Sequence, residues 1–181
     1  MFLPGERLLK KNILLGTAPA LSKQWKVSFE FKPTSYNHNG WAQIMHMTTG
    51  SKKVRAPALW IFKRKEIVIR TSLNGKPNEG HSSVKTPPIN KWSKVEVSQE
   101  RLGSDYRFSL KLRGKTIWSQ KNTQPKELSK VKVYAASNWY VAQAGYIRGF
   151  KIQNKILGKY LETTGVETLI YLKHFFNVLY V

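Results

Sequence analysis

The sequence predicts an all-β chain, folded as an antiparallel sandwich or barrel, and three observations predict it. Hydrophobicity alternates with a period of two, turn residues fall between the alternating runs, and no convincing helical pattern precedes residue 155. A chain of 181 residues is the size of one domain with a sizeable core. Its 41% hydrophobic and 12% aromatic content excludes a disordered polymer.

Taken in order, the first candidate strand is Asn12–Thr17, and Gln24–Lys32 is the clearest. There Trp25, Val27, Phe29 and Phe31 alternate with Lys26, Ser28, Glu30 and Lys32, which sets one face on a core and the other in water. Ala42–Thr48, Ala58–Lys63 and Glu66–Leu73 follow, the last closed by the turn residues Asn74-Gly75. Thr86-Pro87-Pro88 breaks the chain before Trp92–Ser98, where Val95 and Val97 face inward. Tyr106, Phe108, Leu110 and Leu112 alternate with Arg107, Ser109, Lys111 and Arg113, and Arg113-Gly114 turns the chain back into Thr116–Gln120 as a tight hairpin. Lys130–Ala135 and Tyr146–Gln153 complete the set. The sandwich is expected over residues 7–155. Residues 156–181 form a separate apolar extension with no clean amphipathic stripe, suited to packing on the sandwich or on a neighbour, or to a membrane surface.

Charge is lopsided, with 31 Lys+Arg against 10 Asp+Glu and a formal net charge of +21. Such an excess repels itself unless a polyanion or salt offsets it, so nucleic acid, acidic glycan and acidic protein are the candidate partners, beside a plain solubility role. The absence of cysteine removes disulfides and thiolate metal sites. Met1–Arg7 lacks the apolar core of a secretory leader, and no run of apolar residues is long enough to span a membrane.

Residues 12–153 resemble the concanavalin A-like lectin and laminin-G superfamily, in particular modules of secreted animal matrix proteins. The likeness is carried by Leu14-Leu-Gly-Thr-Ala-Pro19, Trp25-Lys-Val-Ser-Phe-Glu-Phe-Lys-Pro33, Trp92-Ser-Lys-Val-Glu-Val97, Val131-Lys-Val-Tyr-Ala-Ala-Ser-Asn-Trp-Tyr140 and Gly145-Tyr-Ile-Arg-Gly-Phe150. It implies a jelly roll that binds glycans or proteins on a sheet face or rim loops. It also implies an extracellular setting, here as a module of a longer secreted chain. Many such proteins hold calcium through loop Asp and Asn, but Asp105 is the sole Asp of this chain, too few carboxylates for that ion. No metal and no cofactor is therefore expected.

The same resemblance brings two enzyme types to test. Glycosidases of this fold carry carboxylates at alternate positions of one strand; Glu96 and Glu100 supply two, but Ser98 stands between them. Four residues of strand separate that pair by about 13 Å, beyond the ~5–10 Å of glycosidase carboxylates. Polysaccharide lyases of this fold need an Arg-rich strand, a Gln-x-His pair and a Tyr. Gln43, His46, Arg70 and Tyr140 are the matching pieces, but a spacing of three puts Gln43 and His46 on opposite faces of a regular strand. His38, His46, His81 and His174 are scattered without zinc-ligand spacing.

Basic and aromatic residues remain. Arg107, Lys111 and Arg113 share one hairpin strand, with Lys115 across the turn, and form the leading candidate surface for a linear polyanion. Lys52, Lys53 and Arg55 with Lys63-Arg64-Lys65, and Lys126, Lys130 and Lys132, are further clusters; each serves equally as strand-edge protection. Trp25 and Trp92 fit the core pattern, Trp60 and Trp118 do not place themselves, and Trp139 and Tyr140 sit in a loop, where a Trp ring serves equally to stack on a sugar or to plug an end of the sandwich. The expected function is a non-catalytic carbohydrate-binding module for acidic or sulfated glycans, with Arg107, Lys111, Arg113, Lys115, Trp139 and Tyr140 as ligand-binding residues. Matrix-protein adhesion is the close rival, ahead of nucleic acid and of an enzyme.

Overall fold

The computed structural model describes residues 2–3, 5–50, 53–63, 66–83 and 86–154. Lys52, Arg64, Lys65 and the expected extension 156–181 lie outside the described residues. The strands, in chain order, are β1 (Phe2–Leu3), β2 (Arg7–Leu8), β3 (Ile13–Leu21), β4 (Trp25–Pro33), β5 (Trp41–Thr48), β6 (Ala58–Phe62) and β7 (Glu66–Leu73). They continue with β8 (Lys76–Ser83), β9 (Ser93–Leu102), β10 (Asp105–Leu112), β11 (Lys115–Asn122), β12 (Leu128–Ala136), β13 (Val141–Ala142) and β14 (Gly145–Asn154).

They form two sheets. The first runs β1-β14-β4-β9-β10-β11, with β2 also on β14; the second runs β3-β12-β5-β6-β7-β8, with β13 on β5. All pairings are antiparallel except β13 on β5. This is the two-sheet sandwich that the resemblance implies and the alternation allows, with the last strand returning beside the N-terminal segment.

The alternation becomes burial directly. In β4 every apolar residue from Trp25 to Phe31 is buried and every polar one between them is half-buried. Val27, Phe29, Val95, Val97, Phe108, Leu110, Ile147 and Phe150 of the first sheet meet Ile44, Met45, Met47, Leu59, Ile61, Ile67, Ile69, Val131 and Val133 of the second. Phe29 stacks on Phe150 at 5.8 Å, and Trp25 meets Phe108 edge-on at 5.9 Å. Each such side chain contributes roughly 1.5–3 kcal/mol by leaving water.

Two turns set the hairpins. Arg113 and Gly114 join β10 to β11 with φ of 52° and 79°, and Asn74 and Gly75 join β7 to β8 with φ of 52° and 76°. Positive φ at both central residues is the type I′ geometry, whose twist matches the strands it connects.

Two tryptophans depart from expectation. Trp92 is outside the core: it is half-buried, with the Lys32 ammonium 4.7 Å and the Arg148 guanidinium 4.1 Å from its ring. It precedes β9, so the strand's alternation does not extend to it. Trp118 packs on the core edge instead, 5.2 Å from Phe108, and its other side stacks on His81 of β8 at 6.1 Å. That pair bridges the last strands of the two sheets.

Candidate functional site

The outer face of the first sheet carries the hairpin cations. Arg107 and Lys111 point away from the core side chains Phe108, Leu110 and Leu112, Arg113 sits in the turn, and Lys115 is exposed beyond it. Arg107 Nη1 reaches Ser119 Oγ at 3.4 Å. The register then brings in what the sequence leaves apart: Arg107 lies opposite Glu100, and Lys111 opposite Glu96. Glu96 accepts Lys26 at 2.7 Å and Lys94 at 3.2 Å. Burial alone would raise its carboxyl pKa, but the two ammonium groups more than offset this and hold it below the usual range. Arg148 pairs with Glu30 and Lys121 with Asp105, each at 2.8 Å. The stripe is thus interleaved with Glu30, Glu96, Glu100 and Asp105. Glu96 is committed to its two neighbouring ammonium groups.

The outer face of the second sheet is of a different kind. Between Gln43 and Met45 the β5–β6 register shifts by a β-bulge, so Gln43 opposes Trp60 while His46 opposes Ala58. Trp60 and Ala58 are two apart and share a face, so Gln43 and His46 share it too. The expectation of opposite faces fails here, because an extra residue breaks strict alternation. Across β7 the same rows continue as Val68 and Arg70, and on β8 as Ser82 and Gly80. A Cβ at position 80 would lie 1.9 Å from the Ile69 carbonyl oxygen and 2.9 Å from Arg70 Cδ and Nη1. Only glycine lets the Arg70 guanidinium lie across β8.

Trp139 and Tyr140, in the loop between β12 and β13, fold over this face. Gln43 Oε1 anchors the loop by accepting the Ser137 backbone N–H at 2.7 Å and its hydroxyl at 2.6 Å. Trp139 then lies 5.2 Å from the His46 ring and Tyr140 5.3 Å from Trp60. Trp41 packs 5.9 Å from Trp60 and 4.4 Å from Phe62, and the Arg55 guanidinium sits 5.6 Å from the Trp60 ring. A cleft of about 190 Å³ opens between Trp41, Arg55, Trp60, Arg70, Asn78 and Tyr140.

The cleft is electrostatically unfinished. Arg55 Nη1 donates to Asn78 Oδ1 at 2.7 Å and Arg70 Nη1 to the Ile69 carbonyl at 3.0 Å. Among the described residues neither guanidinium has a carboxylate in ion-pair range. Gln43 Nε2, His46 Nδ1, Arg55 Nε and Trp60 Nε1 are buried without a hydrogen-bond partner among the described residues, four such atoms around one patch. Orphaned polar atoms are costly in a folded interior and cluster where something else completes them. His46 is 0% exposed, and its Nε2 faces the Val54 carbonyl at 3.2 Å, which fixes the proton there and leaves Nδ1 as a bare acceptor. Burial lowers its pKa to about 4, with the Arg55 charge adding and the Val54 carbonyl opposing.

The predicted residues therefore separate. Trp139 and Tyr140 belong to the cleft region of the second sheet, while Arg107, Lys111, Arg113 and Lys115 belong to the other sheet. Sequence reasoning left Trp60 unplaced and did not pair Trp41, Arg55 and Asn78 with it; Arg70 entered only as a piece of a lyase motif. Among the described residues no three His, Asp or Glu gather as metal ligands.

No family model and no curated protein matches the chain. Solved structures do. A SAP-like pentraxin of Limulus polyphemus matches with TM-score 0.55 at 15% identity, over 83% of this chain and 73% of that one. The CBM40 module of a Ruminococcus gnavus IT-sialidase, solved bound to α2,3-sialyllactose, matches with TM-score 0.54 at 14% identity, over 84% and 95%. A galectin of Caenorhabditis elegans matches with TM-score 0.50 at 10% identity, over 82% and 96%. All are concanavalin A-like jelly rolls, and that is the fold of this chain; at such identities the likeness extends to the fold alone.

Proposed function

We propose that this concanavalin A-like sandwich is a lectin-like module that binds an acidic glycan without altering it, and that the glycan lies in the cleft of the second sheet. The observation that carries the reading is the pair of guanidiniums, Arg55 and Arg70, without carboxylate partners among the described residues and set among Trp41, Trp60 and Tyr140. Planar guanidinium forks match carboxylate and sulfate oxygens two at a time. Aromatic walls with a few convergent polar groups are what a small-ligand site needs for affinity and orientation together. The net charge of +21 draws a polyanion from a distance. On this reading Arg107, Lys111, Arg113 and Lys115 supply long-range attraction, and Trp139 supports the cleft from behind. An extracellular setting is part of the proposal.

The bulge favours a second reading, a polysaccharide lyase, since it gathers Gln43, His46, Arg70 and Tyr140 on one face. Abstraction of a proton requires the base to touch the substrate. His46 is fully buried beneath Trp139, and Gln43 Oε1 is committed to Ser137, which favours binding over chemistry. One experiment tests both: a panel of acidic and neutral glycans scored for binding at low and high salt, with release of unsaturated chain ends followed in parallel. Retention of acidic glycans with no end release is expected. Preference for neutral glycans overturns the ligand class, and turnover abolished by His46→Gln overturns the non-catalytic reading.

A further inference from the structure

The cleft does not end at Arg55. A second cavity of about 340 Å³ lies at the mouth of the sandwich, where the two sheets part, and Arg55 lines it as well. Along β7 the cleft residue Arg70 is followed by the mouth residues Thr71, Ser72 and Leu73; along β8 the mouth residues Lys76 and Pro77 lead to the cleft residue Asn78. Three residues of strand from Arg70 to Leu73 span about 10 Å, so the two hollows lie end to end with Arg55 as their common wall.

The mouth is a built cavity. Its floor is the buried Leu21, Trp25 and Leu73, with Gln99 and Asn122 bonded to each other at 2.6 Å. The β7–β8 turn is stitched across to the first sheet: Asn74 Nδ2 donates to the Lys121 carbonyl at 2.9 Å, and Asn74 Oδ1 accepts the Thr123 N–H at 2.7 Å. The wall is thereby fixed before a ligand arrives, which lowers the entropic cost of binding. Its cations are Arg55, Lys76 and Lys126; Lys76 pairs with Glu79 at 3.5 Å, while Lys126 has no carboxylate partner among the described residues.

We infer that the cleft and the mouth are consecutive subsites of one groove for a linear acidic oligosaccharide. Arg55 grips an acidic group at the junction, and the far end of the chain enters the mouth over Trp25 and beside Lys126. The inference rests on the proposed reading of the cleft and adds to it a ligand length and a direction.

Calorimetric titration of a ladder of galacturonate oligomers, from the monomer upward, tests it on the intact chain. Affinity should step up by about tenfold once the oligomer is long enough to pass Arg55, equivalent to one further well-made contact. Ser72→Trp, which fills the mouth from an exposed lining position, should abolish the step and leave the shortest binding oligomers unaffected. Lys126→Ser should reduce the step without touching the floor. Short oligomers that bind with no gain on lengthening overturn the groove and leave the cleft standing, as does a step that survives both variants. Absence of binding at every length removes the cleft reading and the groove with it.

Discussion

The two outer faces of this sandwich are built from the same strand periodicity and end in different electrostatic states. On the first sheet several polar positions are filled by long charged side chains that pair with one another, as in Lys26–Glu96–Lys94, Arg148–Glu30 and Lys121–Asp105, while Arg107, Lys111, Arg113 and Lys115 have no carboxylate in ion-pair range among the described residues. On the second sheet they are filled by rings, amides and guanidiniums, and four polar atoms there stay unpartnered beneath Trp139, Tyr140 and Arg55. On the proposed reading, net positive charge is therefore a poor guide to where this protein binds. Exposed charges keep their water and gain little from a ligand, whereas guanidiniums set among rings in a cleft gain more when one arrives.

The largest effect expected from this contrast is on stability against pH. His46 is neutral in the fold with a pKa of about 4, below the ordinary 6.5, so the unfolded chain binds its proton first as pH falls. Stability is then fully present above about pH 6.5 and declines through the window down to about pH 4, by about 3 kcal/mol in total. Denaturant titrations across that range should trace the decline, and His46→Gln should flatten it; a slope unchanged in the variant would place the titrating group elsewhere. Glu96 on the first sheet acts in a lower window, since its depressed pKa stabilises the fold until pH drops below the ordinary carboxylate range.

Binding comes next. Arg70→Ser removes a charged donor that bonds the adjacent Ile69 carbonyl, so acidic-glycan affinity should fall by roughly ten- to a hundredfold, the ~1.5–3 kcal/mol of a charged hydrogen bond, with little change in Tm. The matching change on the other face, Arg107→Ser, should alter affinity by less than about twofold, the small value typical of exposed charges. Reversal of that order in calorimetry would move the ligand to the hairpin. The smallest effect tests the hairpin directly. Were Arg107, Lys111 and Arg113 all in contact with a heparin-type polymer, replacing them with Ser would lower the salt slope of binding by about two to three units. With Glu96 and Glu100 opposite them, a loss under about one unit is expected; the full loss would restore the hairpin as a binding surface.

What the sequence disclosed follows the same division. β4, β9 and β10 are legible because one face is buried and one wet, so a period of two appears at once. β8 is not, because Lys76–Ser83 is a polar edge strand paired on one side to β7, and almost nothing in it is driven inward. β6 reads as an unbroken apolar run, which hides that Trp60 faces away from Leu59 and Ile61. Trp139 and Tyr140 were findable as loop aromatics, whereas Arg55 joins the cleft from another loop that only the tertiary fold brings over Trp60. The hairpin cations were visible, whereas Glu96 and Glu100 come to lie opposite Lys111 and Arg107 only through strand register.

The bulge in β5 acts as a frameshift written in three dimensions. Ile44 has no opposing residue on β6, and that single uncounted position re-phases everything after it, sending Met45 and Met47 inward while His46 joins Gln43 outside. Along a regular strand the loss of one residue exchanges the two sides for the whole remainder. Ile44 is the exception, because its deletion removes the uncounted position itself: Gln43 and His46 become next-but-one neighbours and stay on the cleft face, whereas deletion of Met45 together with Ile44 would turn the imidazole toward the hydrocarbon interior.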